Sequence, residues 1–321
     1  MRRLYAVSIG CLLSLLLGTE SLHGEEKYPF ENPWLRLSTD VSHLKVAPKG
    51  HFLSFTKGNG LGLYTIDLSS LEIFEVSQLQ VESSSFWSPD GQRLVYREIS
   101  KNRKNEILSS INVYDCILHQ NFMIEHLPLR SGFLTFDPRD LSMYLVHEKG
   151  IRVKKLNFPD KRLARWQLMY KARHANEGRW VATPNGIIWA TSEGLTIRKM
   201  EDDRAGITSF DISPDGRFIA WATRKDNVFV SEAGKKPFKI GNGRDPSWHP
   251  EQRLLVYAAA RMVGNKPVSY DLRVSDILGT GRFVTATEFS NERWPVWDPK
   301  GQRIIYTKAK TTDLFSMEFK L

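Results

Sequence analysis

The stretch FDISPDGRFIAWAT, at positions 210–223, places a tight turn between two short apolar segments. Pro214 fixes φ for the second position of a β-turn, and Gly216 supplies the positive φ with which the chain leaves it. The residues after Gly216 are aromatic, aliphatic and β-branched over the length of a strand. The stretch therefore predicts a strand, a turn and a second strand.

Related turns recur along the chain. They form a set of seven, centred on Pro48, Pro89, Pro138, Pro184, Pro214, Pro250 and Pro299. Asp140 replaces the glycine in one copy, and Glu251 is followed directly by Gln252 in another. The spacing is loose but lies in the range expected of propeller blades, so the sequence predicts a repeat protein.

Further extended segments follow each turn, and with the strand before the proline most repeats contain four antiparallel strands. Residues 34–39 are a spare strand before the first turn, whereas the last repeat ends after its third strand. If the spare strand completes the last sheet, the ring closes and two exposed edges disappear. We predict an all-β protein, a β-propeller of four-stranded antiparallel blades closed by the N-terminal strand. Seven blades are favoured, and six remain possible because Pro184 and Pro214 are unusually close in sequence.

The N-terminus has the order of charges typical of an export signal. Two arginines precede an apolar run at residues 4–18, which small and polar residues follow. The run is shorter than the roughly 20 residues needed to cross a bilayer. We expect a signal peptide at residues 1–24, one propeller domain at residues 25–321 and no transmembrane segment after cleavage. The mature chain is then periplasmic or secreted, with Cys116 as its single cysteine.

The turns and the strands that follow them resemble a known repeat. The segments FWSPDGQRLVY, FDISPDGRFIAW and VWDPKGQRIIY precede strands such as INVYD and LRVSD. They are similar to the TolB-type, WD-repeat-like β-propeller repeat of periplasmic and secreted bacterial proteins, and the similarity spans about residues 40–321. The resemblance implies the fold and, by analogy, a role in binding within the cell envelope. The chain has no room for the α/β domain that precedes the propeller in TolB, and it has seven turns in place of six.

Tryptophan recurs two positions before the proline, as Trp87, Trp248 and Trp297. Recurrence at one position of a repeat predicts packing between neighbouring blades, and stacking on a ligand is the alternative.

Charged pairs stand near the starts of several strands that lead into the turns, where propellers meet ligands. They are Glu177 with Arg179, Arg244 with Asp245, and Glu292 with Arg293. Each acid has an arginine close in sequence, which favours structural ion pairs over metal coordination or catalysis. We keep Arg179, Arg244, Asp245, Glu292 and Arg293 as candidate binding residues.

Positive charge is concentrated between Lys149 and Arg173, although the whole chain carries a formal net charge of +9. This basic segment is either a solvated outer strand face or a docking surface for an anionic polymer or acidic protein. Its candidate binding residues are Arg152, Lys154, Lys155, Lys161, Arg162, Arg165 and Trp166.

Signatures of catalysis are absent from the sequence, which has no G-x-S-x-G or H-E-x-x-H motif. We predict no catalytic residues, no metal and no cofactor. The leading hypothesis is an exported, non-catalytic propeller scaffold that binds another envelope component, a protein or an anionic polymer, as a monomer or as part of a complex. Nucleic acid is not expected as a partner of an exported chain. The alternative is a propeller enzyme of lyase, lactonase or peptidase type acting at the channel mouth.

Overall fold

The structure is a computed structural model. It describes residues 35–37, 40–49, 51–58, 60–82, 85–127, 134–136, 142–147, 150–155, 167–168, 179–183, 186–191, 194–198, 206–233, 235–287, 290–309 and 311–320. The regular secondary structure of these residues consists of β-strands alone. The strands form five hydrogen-bonded sheets in which every pairing is antiparallel. We name each repeat unit by the proline of its turn.

The first sheet contains the Pro48 and Pro89 units. The first described strand, β1(Leu35–Arg36), belongs to the last sheet, and the Pro48 unit has β2(Val41–Val46), β3(Phe52–Lys57), β4(Leu61–Asp67) and β5(Ile73–Val81). The Pro89 unit has β6(Phe86–Trp87), β7(Arg93–Lys101), β8(Ile107–Asp115) and β9(Gln120–Leu127). Two pairs, Gln80 with Ile99 and Val81 with Glu98, join β5 to β7. Each unit is otherwise a simple meander, as short turns between sequential strands favour.

The next two units form separate sheets. The Pro138 unit has β10(Leu134–Phe136), β11(Ser142–His147), β12(Gly150–Lys155) and β13(Gln167–Leu168). The Pro184 unit has three described strands, β14(Arg179–Thr183), β15(Gly186–Thr191) and β16(Gly194–Arg198). Side chains between residues 134 and 198 are described only for Thr135, Tyr144 and Trp180.

One long strand joins the Pro214 and Pro250 units. The Pro214 unit has β17(Ile207–Ile212), β18(Phe218–Thr223), β19(Asn227–Glu232) and the first part of β20(Phe238–Trp248). The second part of β20 begins the Pro250 unit, which continues with β21(Leu254–Val263), β22(Lys266–Asp276) and β23(Gly281–Phe283). Asn242 pairs back to β19 and Gly243 pairs forward to β21. From the sequence, an outer extended segment at residues 238–240 and a second strand leading into Pro250 are expected, and the structure corrects this expectation by joining them in β20.

The Pro299 unit brings the two ends of the described chain together. It contains β24(Glu292–Trp297), β25(Arg303–Lys308) and β26(Asp313–Glu318), and its fourth strand is β1(Leu35–Arg36). Leu35 pairs with Leu314, and the Leu37 amide donates to the Thr312 carbonyl at 2.9 Å. The predicted N-terminal strand therefore lies on the edge of the last sheet, although it is shorter than residues 34–39.

Apolar side chains fill the spaces between units. One cluster joins Leu53 and Phe55 of the Pro48 unit to Ile305 and Leu314 of the Pro299 unit. Other clusters join the Pro48 unit to the Pro89 unit, the Pro214 unit to the Pro250 unit, and the Pro250 unit to the Pro299 unit. Trp180 of the Pro184 unit packs with Ile219 and Trp221 of the Pro214 unit. The core is thus a series of interfaces between sheets.

The recurrent tryptophans lie in these interfaces, as predicted. Trp87, Trp248 and Trp297 are all buried and contact the preceding unit. The Trp87 indole N–H donates to the Lys45 carbonyl and that of Trp248 donates to the Asp211 carbonyl, both at 3.1 Å. These tryptophans therefore connect successive units through apolar contact and, in two cases, a hydrogen bond.

Candidate functional site

In five units, the first strand, which is the one that leads into the proline turn, lines a single central cavity of about 380 Å³. The lining comes from β2, β6, β17, β20 and β24 together with the turns that follow them. The turn residues Pro48, Pro89, Pro214, Pro250 and Pro299 surround this end, with Trp87, Trp248 and Trp297 beside them. An apolar wall with few polar groups is a typical binding concavity.

A second, smaller cavity lies deeper between the same strands. Its lining includes His43, Phe86, Phe210, Asp245 and Trp294. Contacts between units that are not sequential cross the molecule here. Lys45 Nζ lies 3.5 Å from the Asp211 carboxylate, and the rings of Phe86 and Phe210 have centroids 6.4 Å apart. These side chains occupy the middle of the space between the first strands.

Three residues that line the smaller cavity have left-handed backbone conformations. His43, Asp245 and Trp294 have φ of 53°, 55° and 54°, and each stands five positions before the proline of its unit. The register of β2, β20 and β24 shifts at these points. Such β-bulges redirect side chains, and positive φ in a bulky residue such as tryptophan is strained. The repeat thus turns three dissimilar side chains toward one space.

A network of charges holds the rim of this cavity. The Arg293 Nε donates to Asp245 at 2.7 Å, and the Arg244 Nε donates to Asp226 at 2.6 Å. The Tyr270 ring centroid lies 4.7 Å from the Arg244 guanidinium carbon and 5.4 Å from that of Arg293. Burial raises the pKa of Tyr270 to about 12, so this ring is neutral at physiological pH. The arrangement is a set of mutually satisfied ions around one aromatic ring.

Glu292 differs from the other acids at the rim. It is fully buried, and its Oε1 accepts from the Thr287 hydroxyl at 2.8 Å and from the Ser290 hydroxyl. Its Oε2 is buried without a hydrogen-bond partner, and burial raises the pKa of the Glu292 carboxyl. The expectation that each acid pairs with its neighbouring arginine is therefore wrong for Glu292. For Asp245 the partner is Arg293, 48 positions away, rather than Arg244.

His43 is the titratable base of the smaller cavity. Burial lowers the pKa of its imidazole to about 4, with Lys45 and Arg293 acting in the same direction and Asp245 opposing them. Its Nδ1 lies 2.9 Å from the Thr56 hydroxyl, and its ring lies 4.3 Å from the Trp294 ring. His43 is therefore neutral at physiological pH.

The predicted basic residues are only partly described. Arg152, Lys154 and Lys155 lie on β12. Arg179 is the first residue of β14. The remaining predicted residues of the basic segment, Lys161, Arg162, Arg165 and Trp166, lie outside the described residues, as does Glu177.

Sequence patterns did not indicate several contributors to the rim. Asp226, Tyr270 and His43 come from three different units, and their partners are distant in sequence. One feature of the sequence could have indicated the smaller cavity: His43, Asp245 and Trp294 each stand five positions before the proline of their unit.

Within the described ranges, no group of three or more histidine, cysteine, aspartate or glutamate side chains is placed to hold a metal ion. No helix among those residues has the length and apolar character needed to cross a membrane.

Comparison with solved structures defines the fold. The chain is similar to the Cps50 (Swd1) β-propeller domain of Myceliophteria thermophila, with a TM-score of 0.56 and 13% identity over 90% of this chain and 100% of that one. It is also similar to a chain of a mitotic checkpoint complex, with a TM-score of 0.59 and 11% identity over 95% of this chain and 100% of that one. The RRP9 WD40 repeats match with a TM-score of 0.58 and 9% identity over 90% of this chain and 97% of theirs. The fold is therefore a WD-repeat-like β-propeller.

No protein-family model matches the sequence, and no curated protein matches it.

Proposed function

We propose that the chain is an exported, non-catalytic propeller scaffold that binds another component of the cell envelope, either a protein or an anionic polymer. In this proposal the propeller is of TolB type, has seven blades and is closed by the N-terminal strand. The mature protein, residues 25–321, is periplasmic or secreted.

The pairing of charges at the rim carries the non-catalytic part of this proposal. Asp245 and Asp226 are engaged by Arg293 and Arg244, which lowers the availability of their carboxylates for substrate chemistry. Glu292 has the raised pKa expected of a general acid, but its full burial separates it from any substrate in solution. These features support a structural role for the charged rim in preference to a catalytic one.

The pairing of β1 with β26 supports the proposed closure. The cluster that joins the Pro48 and Pro299 units supplies an interface between the first and last repeats. The presence of described strands at each of the seven proline turns supports the count of seven, although the Pro214 and Pro250 units share β20.

Binding of a protein is favoured by the class of fold. The propeller that matches within the mitotic checkpoint complex is a chain of a multiprotein assembly. Binding of an anionic polymer is favoured by the basic segment, since a cluster of one sign of charge attracts the opposite sign.

Recovery of partners from envelope extracts tests the proposal. The variant carries Lys154→Glu, Lys155→Glu, Lys161→Glu and Arg162→Glu on the tagged mature chain. A matched control reverses four exposed lysines elsewhere, namely Lys235, Lys236, Lys239 and Lys300. We expect the first variant to lose partners that the wild type and the control retain. Equal recovery by all three would exclude the basic segment as the docking surface.

A further inference from the structure

The loops between the second and third strands of the units share one face of the propeller. Each unit is an antiparallel meander that starts at the central cavity, so these loops all lie at the same end of the strands. We define the loop face by residues 101–107, 224–226 and 261–268. Asp226 of this face reaches Arg244, and Tyr270 beside it packs on Arg293, which places the loop face next to the charged rim.

Exposed charge on the loop face is almost entirely positive. Glu106 is its single exposed acid, because Asp226 is buried. The exposed basic residues of these loops are Lys101, Arg103, Lys104, Arg224, Lys225, Arg261 and Lys266.

Exposed aliphatic side chains stand among these charges. Val263 is 67% exposed and Val268 is 54% exposed at the tip of the β21–β22 hairpin, and Ile107 is 47% exposed at the tip of the β7–β8 hairpin. Along the chain, Val263 lies between Arg261 and Lys266, Val268 is two residues after Lys266, and Ile107 is three residues after Lys104. Aliphatic groups that project between cations contribute nothing to the binding of a soluble polyanion, but they can enter the boundary between lipid headgroups and acyl chains.

The opposite face lacks this combination. Arg217 and Lys235 both pair there with Glu232, and Asp90 and Asp215 are exposed. Ile117, Leu118 and Leu278 are 58%, 54% and 72% exposed on that face, but they lie in turns that follow Asp115 and Asp276 rather than among basic residues. Positive charge and projecting aliphatic groups therefore coincide on the loop face.

We propose that the loop face docks on the surface of an anionic phospholipid bilayer. The hairpin tips insert Ile107, Val263 and Val268 at the headgroup level, while the surrounding lysines and arginines contact lipid phosphates. The loop face and the basic segment have no residue in common, so the two sets of variants change different residues and vesicle binding and partner recovery can be lost independently.

Co-sedimentation of the mature protein with vesicles tests this inference. Vesicles of phosphatidylcholine with phosphatidylglycerol are compared with vesicles of phosphatidylcholine alone, at low and high salt. We expect binding to the anionic vesicles only, and weaker binding as salt screens the charges. Reversal of Lys101, Arg103 and Lys104 to glutamate should weaken binding about a hundredfold. The matched control reverses Lys235, Lys236 and Lys300 on the opposite face and should bind as the wild type does.

The aliphatic tips distinguish a bilayer from a polyanion. Val263→Ser with Val268→Ser leaves the charge unchanged and should abolish vesicle binding, whereas Leu278→Ser should leave it unchanged. Absence of binding to anionic vesicles would overturn the inference. So would full retention of binding by the valine variant, because the surface would then act only as a site for polyanions such as heparin.

Discussion

Three tryptophans at equivalent positions of the repeat differ in whether the indole N–H donates a hydrogen bond. The Trp87 and Trp248 indoles donate to carbonyls of the preceding unit, but the Trp297 Nε1 is buried with no hydrogen-bond partner. Trp297 packs instead against His249 and Phe319, at centroid distances of 4.7 Å and 5.1 Å. The same residue at the same position therefore makes a different contribution in different units.

Replacement of these tryptophans by phenylalanine measures that difference. Trp87→Phe and Trp248→Phe each remove an indole N–H that donates to a backbone carbonyl, so they should lower the free energy of unfolding by about 0.5–1.5 kcal/mol more than Trp297→Phe does. The loss of ring volume is common to all three and cancels in the comparison. Urea unfolding monitored by circular dichroism gives the values. Equal losses in the three variants would contradict a stabilising role for the indole donors.

His43 gives the stability a dependence on pH. Its folded pKa of about 4 lies below the 6.5 of an unfolded histidine, so the folded state takes up fewer protons. The free energy of unfolding is therefore not reduced by His43 above about pH 6.5. It decreases as the pH falls toward the folded-state pKa of His43, by about 2 kcal/mol between roughly pH 7 and pH 5. His43→Gln should remove this decrease, and exposed His51→Gln should retain it.

The comparison at each pH separates His43 from the carboxyls. The raised pKa of Glu292 acts in the opposite direction, since that group favours the folded state as it becomes protonated. Glu292 is present in every variant and cancels in the difference. A pH profile of His43→Gln that runs parallel to the wild type would contradict the assignment.

At the level of single residues, the sequence predicts positions better than partners. The pattern of the repeat correctly placed Trp87, Trp248 and Trp297 between units. It did not predict that Asp245 would bond Arg293 rather than Arg244, because pairing across units depends on bulges that no local pattern encodes.

Among the elements, β1 is short but joins the two ends of the described chain. It contains only Leu35 and Arg36, yet it covers the edge of β26 and contributes a buried leucine to the cluster between the first and last units. A covered edge cannot pair with another chain, so β1 also protects against association through that strand.

Leu35→Ala should lower the free energy of unfolding by about 2–3 kcal/mol, because it removes buried methyl groups from that cluster. Arg36→Ala is the matched control in the same strand, with an exposed side chain, and should change the free energy by less than about 0.5 kcal/mol. Chemical denaturation of the two variants supplies the measurement. A loss for Leu35→Ala no greater than for Arg36→Ala would show that β1 does not pack as described.

Strand boundaries followed the sequence where turns are marked by proline and glycine. The prediction was wrong at β20. No proline-glycine turn separates the outer strand of the Pro214 unit from the first strand of the Pro250 unit there, so the two form one continuous strand. Gly243 instead allows the chain to pass between the two sheets, since a Cβ at that position would lie 2.3 Å from the Ala258 carbonyl oxygen.

For the whole molecule, the proposed closure depends on the two ends remaining in contact. Arg36 and Asp313 are Cα partners in the pairing of β1 with β26. A disulfide between cysteines at these positions would link the first and last sheets and constrain the unfolded chain across nearly its full length.

Arg36→Cys with Asp313→Cys, in a mature chain that carries Cys116→Ala, should form this disulfide on oxidation and raise the free energy of unfolding by about 4 kcal/mol. Mass spectrometry detects the bond, and unfolding before and after reduction measures the gain. Failure of the cysteines to join under oxidising conditions would place the two strands apart and remove the proposed closure.

The class of fold was predictable from the sequence because the repeated turns are local and need no information from distant residues. The charged rim was not, because its pairs join side chains from different strands and units that no local pattern links, as Asp226 with Arg244 and Tyr270 with Arg293 illustrate. Repetition specifies the frame, whereas the departures from repetition specify the site.

The continuity of β20 has a consequence for how the propeller opens. A strand that hydrogen-bonds to β19 along its first part and to β21 along its second part leaves no flexible joint between the Pro214 and Pro250 units. These two units should exchange their amide hydrogens as one cooperative block, and transient separation of units should occur at other boundaries.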